Sequence, residues 1–133
     1  MKDLIIKNSS KELFKPNVKF KVNGKCEIQG DSYMKEPIKF YSELINWIKA
    51  AINHKDSITL DIRIKYFDSS SCKMIISTLK TFREWINKGK VVNINWFVNE
   101  EDIFIYDEVE DIITETGIPI NKILIKSNIL ETA

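Results

Sequence analysis

Ile58, Leu60, Ile62 and Ile64 alternate with Thr59, Asp61, Arg63 and Lys65. A period of two predicts a strand with one apolar face. Ile75, Leu79, Phe82 and Ile86 then recur as one stripe of a helix that stops at Asn87-Lys88-Gly89. Upstream, Val18, Phe20 and Val22 alternate with Lys19 and Lys21 before Asn23-Gly24. Asn-Gly between alternating runs predicts a hairpin, with Lys25 to Gln29 as the return strand and Cys26 and Ile28 on one face. Gly30 to Pro37 reads as a loop, with Pro37 in the first turn of the next helix. The stripe of that helix is Ile38, Tyr41, Leu44, Ile45, Trp47, Ile48 and Ile52, running to about Asn53. Lys90 to Phe97 predicts another strand, with Val92, Ile94 and Trp96 opposite Asn93 and Asn95. A helix from about Glu101 to Thr116 is stopped by Gly117 and Pro119, and Lys122 to Lys126 is a last short strand. Leu4-Ile5-Ile6 offers an edge strand at most, while Asn8-Ser9-Ser10 and Pro16 read as loop. Residues 1–17 and the tail 127–133 are expected to be irregular.

Two hairpin strands followed by three helix-strand units make an α/β fold, with parallel strands joined by right-handed crossovers. Strands buried on both faces read as continuous apolar runs, yet here every strand alternates. Thr59, Asp61, Arg63 and Lys65 cannot all be buried without partners. The helices are therefore expected on one face of a mixed sheet, leaving the other polar and open. A length of 133 residues suits a single domain, 1–133, able to bury its own core.

A net charge of +1 argues against strong nucleic-acid binding. The balance hides an asymmetry: residues 100–115 hold eight acids and no Lys or Arg. The remainder carries 20 basic against 11 acidic groups, a sum of +9, so the surface is polarised. Acids in the first turn of the last helix would favour its dipole, and the rest form a solvated face or a partner surface. Cys26 and Cys72 lack metal-ligand spacing and read as reduced, partly buried thiols of a cytoplasmic protein. Nothing resembles a signal peptide or a membrane span. His54, in the polar exit His54-Lys55-Asp56, has no visible activating partner.

Between the central strand and the second helix lies Tyr66-Phe67-Asp68-Ser69-Ser70-Ser71-Cys72-Lys73. A strand ends, small polar residues turn the chain, and a helix begins. Such a corner can cap the helix, cradle an anion or present a serine to another protein. In open α/β sheets function collects beyond the carboxyl ends of the strands. The loops Gly30 to Glu36, Phe67 to Ser71 and Val98 to Asp102 share that rim. They direct Asp31, Ser32, Tyr33, Asp68, Ser69, Ser70, Glu100 and Asp102 towards one another. One reading is a binding module switched by phosphorylation. The other is a small Mg²⁺-dependent enzyme, with Asp31, Asp68 and Asp102 as oxygen ligands. Against the enzyme, no Gly-rich phosphate loop follows a strand, and no positioned Lys or His is evident.

The stretch from Tyr66 to Lys73 resembles the SiaC family of regulatory phosphoproteins, bacterial proteins with a fold related to STAS anti-sigma-factor antagonists. The family pattern is an aromatic, an apolar residue, Asn, Thr, Ser, Ser and then Lys two places on. Here those places hold Tyr66, Phe67, Asp68, Ser69, Ser70, Ser71 and Lys73. The likeness extends to Gly30-Asp31-Ser32-Tyr33, Phe40-Tyr41, Trp47-Ile48 and Val92-Asn93-Ile94-Asn95-Trp96. Asp68 departs from Asn, Ser69 from Thr, and Met34-Lys35-Glu36 from the usual Pro-Glu-Asn. The resemblance implies a two-layer STAS-like regulatory domain without catalysis or cofactor, and with Ser69 as phosphate acceptor. Asp31, Ser32, Tyr33, Tyr66, Asp68, Ser70, Ser71 and Lys73 are then the expected partner-binding residues. The implied partners are a serine/threonine kinase, a PP2C-type phosphatase and a diguanylate cyclase bound by the unphosphorylated form.

Overall fold

The computed structural model describes residues 1–8 and 14–126. The chain forms β1 (Leu4–Ile6), β2 (Asn17–Phe20), β3 (Lys25–Gln29), α1 (Pro37–Ala51) and β4 (Ser57–Arg63). It continues through α2 (Ser69–Lys80), α3 (Phe82–Asn87), β5 (Val91–Asn99), α4 (Ile103–Thr116) and β6 (Asn121–Ile125). All six strands join one sheet in sequence order. β1, β2 and β3 pair antiparallel, and β3 to β6 are parallel. Each parallel strand lies beside its predecessor, always stepping the same way. Right-handed crossovers must then place every helix on the same face. That is the two-layer α/β arrangement expected from the alternation.

Burial follows the same logic. Ile58, Leu60, Ile62 and Ile64 face the helices and are buried, as are Ile94 and Trp96. On the opposite face, paired positions bring Glu27, Asp61, Asn95 and Asn121 into one row. Asn95 Nδ2 donates to Asp61 Oδ1 at 3.0 Å, and Asn121 Nδ2 donates to Asn95 Oδ1 at 3.0 Å. The Arg63 guanidinium stacks 3.8 Å from the centre of the Phe97 ring. Arg63 and Asn95 are half-buried, as a polar face without helices requires.

Several elements differ in detail from the sequence expectation. Leu4–Ile6 forms a true edge strand within a segment expected to be irregular, because Trp47 Nε1 donates to Lys2 O at 2.8 Å and anchors it. Ser9, Ser10 and the tail from Ser127 lie outside the described residues. The hairpin turn spans Lys21 to Gly24, closed by Gly24 N donating to Lys21 O at 2.9 Å, so Val22 is solvent-exposed. Gly24 has φ +94, and a Cβ there would meet Ser57 O at 3.0 Å, which excludes larger residues. In α1 the buried face is carried by Phe40, Tyr41, Leu44, Trp47, Ile48 and Ala51, while Ile38 projects into solvent. The second helix is divided at Thr81 into α2 and α3. Ser77, Thr78 and Thr81 each bond the carbonyl four residues back, a pattern that bends helices. After the bend Trp85, rather than Ile86, takes the core position. The first turn of α4 holds no acid; Asp102 is its cap instead.

Basic side chains close the helix ends distant from the site. Lys90 Nζ donates to Ile52 O at 2.8 Å and Lys55 O at 2.7 Å, satisfying carbonyls beyond α1. Arg83 reaches Gly117 O at 2.7 Å, and Gly117 ends α4 in the left-handed conformation at φ 66. Lys122 pairs with Glu110 and covers the Tyr106 ring at 3.9 Å, fastening α4 to β6. Among the described residues no helix is long and apolar enough to cross a membrane.

Candidate functional site

Parallel strands β3, β4 and β5 end on one rim, and α1, α2 and α4 each begin there. The loops after β3 and β4 are joined by backbone. Ser32 N donates to Tyr66 O at 2.9 Å and Asp68 N donates to Ser32 O at 3.2 Å, an isolated parallel bridge beyond the regular sheet. The third loop is held elsewhere: Glu100 N donates to Ile125 O at 2.8 Å, and Glu101 N to Asn99 Oδ1 at 3.0 Å.

Ser32 Oγ lies 2.6 Å from Tyr41 Oη and donates to Ser71 Oγ at 2.8 Å. With its single proton given to Ser71, Ser32 accepts from the Tyr41 hydroxyl. Ser32, Tyr41 and Ser71 are each 0% exposed. Burial, with the nearby Asp68 charge, pushes the Tyr41 phenol well above its ordinary range, against the lowering effect of Ser32. It therefore stays a neutral donor. Three elements meet in this buried chain of hydroxyls: the loop after β3, α1 and the first turn of α2.

Asp68 adopts an extended backbone, φ −86 and ψ 178, and its Oδ1 accepts from Ser71 N at 2.9 Å. It is the N-cap of α2. The serines, the alternative caps in the sequence, are the first three helical residues. Asn and Asp cap about equally well, so the departure from the family Asn keeps the cap and adds a charge beside Ser69. Ser69 and Ser70 are exposed, as are Lys73, Tyr33 and Tyr66. Asp31 and Asp68 are half-buried. Ser32 and Ser71 were expected to touch a partner; being fully buried, they can only hold the surface in place.

Aromatic rings continue the surface. Tyr33 lies 6.2 Å from Tyr66 and meets the edge of Phe14 at 5.7 Å. Beside them and Asp68 opens a groove of about 810 Å³, also lined by Phe40, Lys35 and Lys39. Sequence reasoning places Tyr41 in the α1 stripe and in the Phe40-Tyr41 likeness but not in the site, and it misses Phe14, which lies in an unpatterned segment. On the other flank α4 approaches α2. Burial raises the pKa of Cys72, and the charges of Glu108, Asp111 and Glu115 raise it further. Cys26 and Cys72 are both free thiols, and burial pushes Cys26 up to about 12.

Among the described residues, no three His, Cys, Asp or Glu side chains converge on a cation position. Asp68 and Asp102 are engaged as caps of different helices, Asp102 Oδ1 accepting from Ile105 N at 3.1 Å.

The sequence profile of the SiaC family regulatory phosphoproteins matches residues 7–125. The chain belongs to the SiaC family. That family is one of regulatory phosphoproteins. An uncharacterised Pseudomonas aeruginosa protein is 23% identical over 97 residues, spanning 72% of this chain and 77% of its own. The crystal structure of apo-SiaC from P. aeruginosa superimposes with a TM-score of 0.82 at 22% identity, covering 92% of this chain and 99% of that one. A second solved structure, of the diguanylate cyclase SiaD in complex with its activator SiaC from the same organism, matches with a TM-score of 0.83. There the identity is 21%, over 92% of this chain and all of that one. These likenesses establish that the SiaC fold is shared, and the P. aeruginosa relative activates a diguanylate cyclase.

Proposed function

We propose that this SiaC-family protein binds and activates a diguanylate cyclase when unphosphorylated, and that phosphate on Ser69 ends the association. A serine/threonine kinase would add the phosphate and a PP2C-type phosphatase would remove it. The observation that carries this reading is the division of labour between neighbours. Asp68 caps α2, which leaves the exposed Ser69 hydroxyl at the first helical position with no structural duty.

A phosphate brings about −1.5 to −2 charges and three acceptor oxygens. The positive end of α2 favours that charge by about 0.3–1 kcal/mol, which Asp68 partly offsets, so the fold tolerates the modification. Lys73 stands one turn along the same helix and is exposed. A partner seated over Ser69 must strip water from the dianion. A hundredfold loss of affinity requires only about 2.7 kcal/mol, within the cost of burying an uncompensated charge. Asp31, Tyr33, Tyr66, Ser70 and Lys73 supply contacts, and Ser32 and Ser71 fix the loops that present them.

The test is cyclase activity, read as cyclic di-GMP formed from GTP when purified protein is added to the cyclase. The unphosphorylated protein and Ser69→Ala should stimulate it even after kinase treatment of the latter. Kinase-treated wild type should not. Equal stimulation by phosphorylated and unphosphorylated protein contradicts the reading.

A further inference from the structure

β1 and β6 are the two edges of the sheet. An edge strand presents unpaired backbone groups, and natural sheets blunt it by shortness, charge or proline. β1 is blunted by its length of three residues. β6 has five, Asn-Lys-Ile-Leu-Ile, and no proline. Its polar side chains turn back onto their own chain. Asn121 Nδ2 donates to Asn93 Oδ1 at 3.1 Å and to Asn95 Oδ1 at 3.0 Å. Lys122 is held by Glu110 and by the Tyr106 ring. That leaves Ile123, Leu124 and Ile125 along the edge, with Leu124 53% exposed.

The backbone of β6 fixes which groups are on offer. Glu100 N donates to Ile125 O at 2.8 Å, continuing the β5 ladder, so Ile125 turns its peptide groups towards β5. Peptide groups alternate in direction along a strand, so the N–H and C=O of Leu124 point out of the sheet. Among the described residues no strand lies beyond them.

The flank of α4 above β6 matches this edge. Ile103, Tyr106, Glu110 and Ile113 recur at spacings of three and four, one stripe of the helix. Tyr106 and Glu110 both meet Lys122, which puts the stripe on the β6 side. Its single charge, on Glu110, is the one that Lys122 pairs. By the same periodicity Glu108, Asp111 and Glu115 fall on the opposite side of α4.

We propose that β6 and this flank of α4 form the interface of a homodimer, in which two copies of β6 pair antiparallel about a two-fold axis at Leu124. Self-complementarity selects a second copy as the occupant. Leu124 exchanges both of its outward hydrogen bonds with its own counterpart, and Ile123 meets Ile125 on the open face. Lys126 then faces the Lys122 of the other copy, whose charge Glu110 already offsets. Two strand spacings of about 4.8 Å set the two α4 helices about 10 Å apart, the separation of packed helices. None of this depends on phosphate at Ser69.

Light scattering across a range of protein concentrations should reach a mass twice that of one chain. Leu124→Pro removes the outward N–H, a change that an edge strand tolerates, and Leu124→Lys sets like charges face to face. Each should weaken dimerisation at least about tenfold, with folding checked by melting. In a Cys72→Ser background, Leu124→Cys should form a disulfide between copies under mild oxidation. Hydrogen-bonded antiparallel residues stand about 5.5 Å apart at Cα, within disulfide reach. Val91→Cys, exposed at the far end of β5, should not cross-link. Should both Leu124 substitutions fail to fold, the cross-link decides alone. A mass of one chain at every concentration overturns the proposal. So does a dimer indifferent to both substitutions, or one cross-linked by Val91→Cys as readily as by Leu124→Cys. Dimers that form only after removal of residues 127–133 would make the chain's own tail the occupant of the edge and equally overturn it. Assemblies that keep growing with concentration would show an open contact instead of a closed two-fold one, with the same result.

Discussion

Ser32 and Ser71, separated by 39 positions in the chain, share a fully buried hydrogen bond of 2.8 Å. Through it the loop after β3 holds the first turn of α2, and the Tyr41 hydroxyl completes the chain from α1. The exposed serines of that turn are thus presented by a rigid frame.

Removing the middle of the chain should hurt most. Ser32→Ala leaves two buried hydroxyls without their partner, at about 1–3 kcal/mol. Tyr41→Phe keeps the Ser32–Ser71 bond and should cost nearer 0.5–1.5 kcal/mol. Urea denaturation of both variants checks the order. A larger loss for Tyr41→Phe would displace Ser32 from the centre.

Capping makes a second ordering. Asp68→Ala should lower stability by about 1 kcal/mol, the usual value of an N-cap. Ser69→Ala and Ser70→Ala, exposed and without capping bonds, should stay within about 0.5 kcal/mol of wild type. Thermal melts in which Ser69→Ala is the more damaging change would return the cap to the serines.

Much of the scaffold was legible because strands write their buried face at period two: Ile58 to Ile64 and Ile94 to Trp96 gave both the core and the open polar face. The helix stripes were less exact. Ile38 fits the α1 stripe by periodicity, but it lies in the first turn, where its side chain projects into solvent. Ile86 lost its place to Trp85 because hydroxyl back-bonds bend the helix at Thr81. The site was legible in location and not in roles. Asp68, Ser69, Ser70 and Ser71 are all competent caps, and sequence alone cannot choose where the helical dihedrals begin. The Ser32–Tyr41–Ser71 contact depends on distances between three loops and elements that no local pattern encodes.

Alkaline pH should weaken the fold. The Cys26 thiol moves from 9.0 in the ordinary case to about 12 when buried, and Cys72 and Tyr41 move in the same direction. The folded chain therefore keeps protons that the unfolded chain releases, and stability falls as pH rises. For Cys26 the loss begins near pH 9 and continues to about pH 12, with a slope of up to about 1.4 kcal/mol per pH unit. Cys26→Ala should flatten the profile between these limits. An unchanged slope in denaturation measured across that range would remove the thiol as its source.

The acids of α4 should be felt by Cys72 and by partners. Glu108→Lys with Asp111→Lys removes two charges that raise the Cys72 pKa, so alkylation of Cys72 at fixed pH should accelerate. Association with the cyclase should slow and lose part of its salt dependence, without unfolding. Faster alkylation with unchanged association would leave these acids as a solvated face.

Phosphosite mapping by mass spectrometry, after incubation with the kinase and ATP, bears most directly on the central claim. The account predicts one phosphate, on Ser69, and none on the Ser69→Ala protein. Ser71, buried and bonded to Ser32, should never carry it. Phosphate on Ser70 instead of Ser69, or no phosphate at all, would contradict the account.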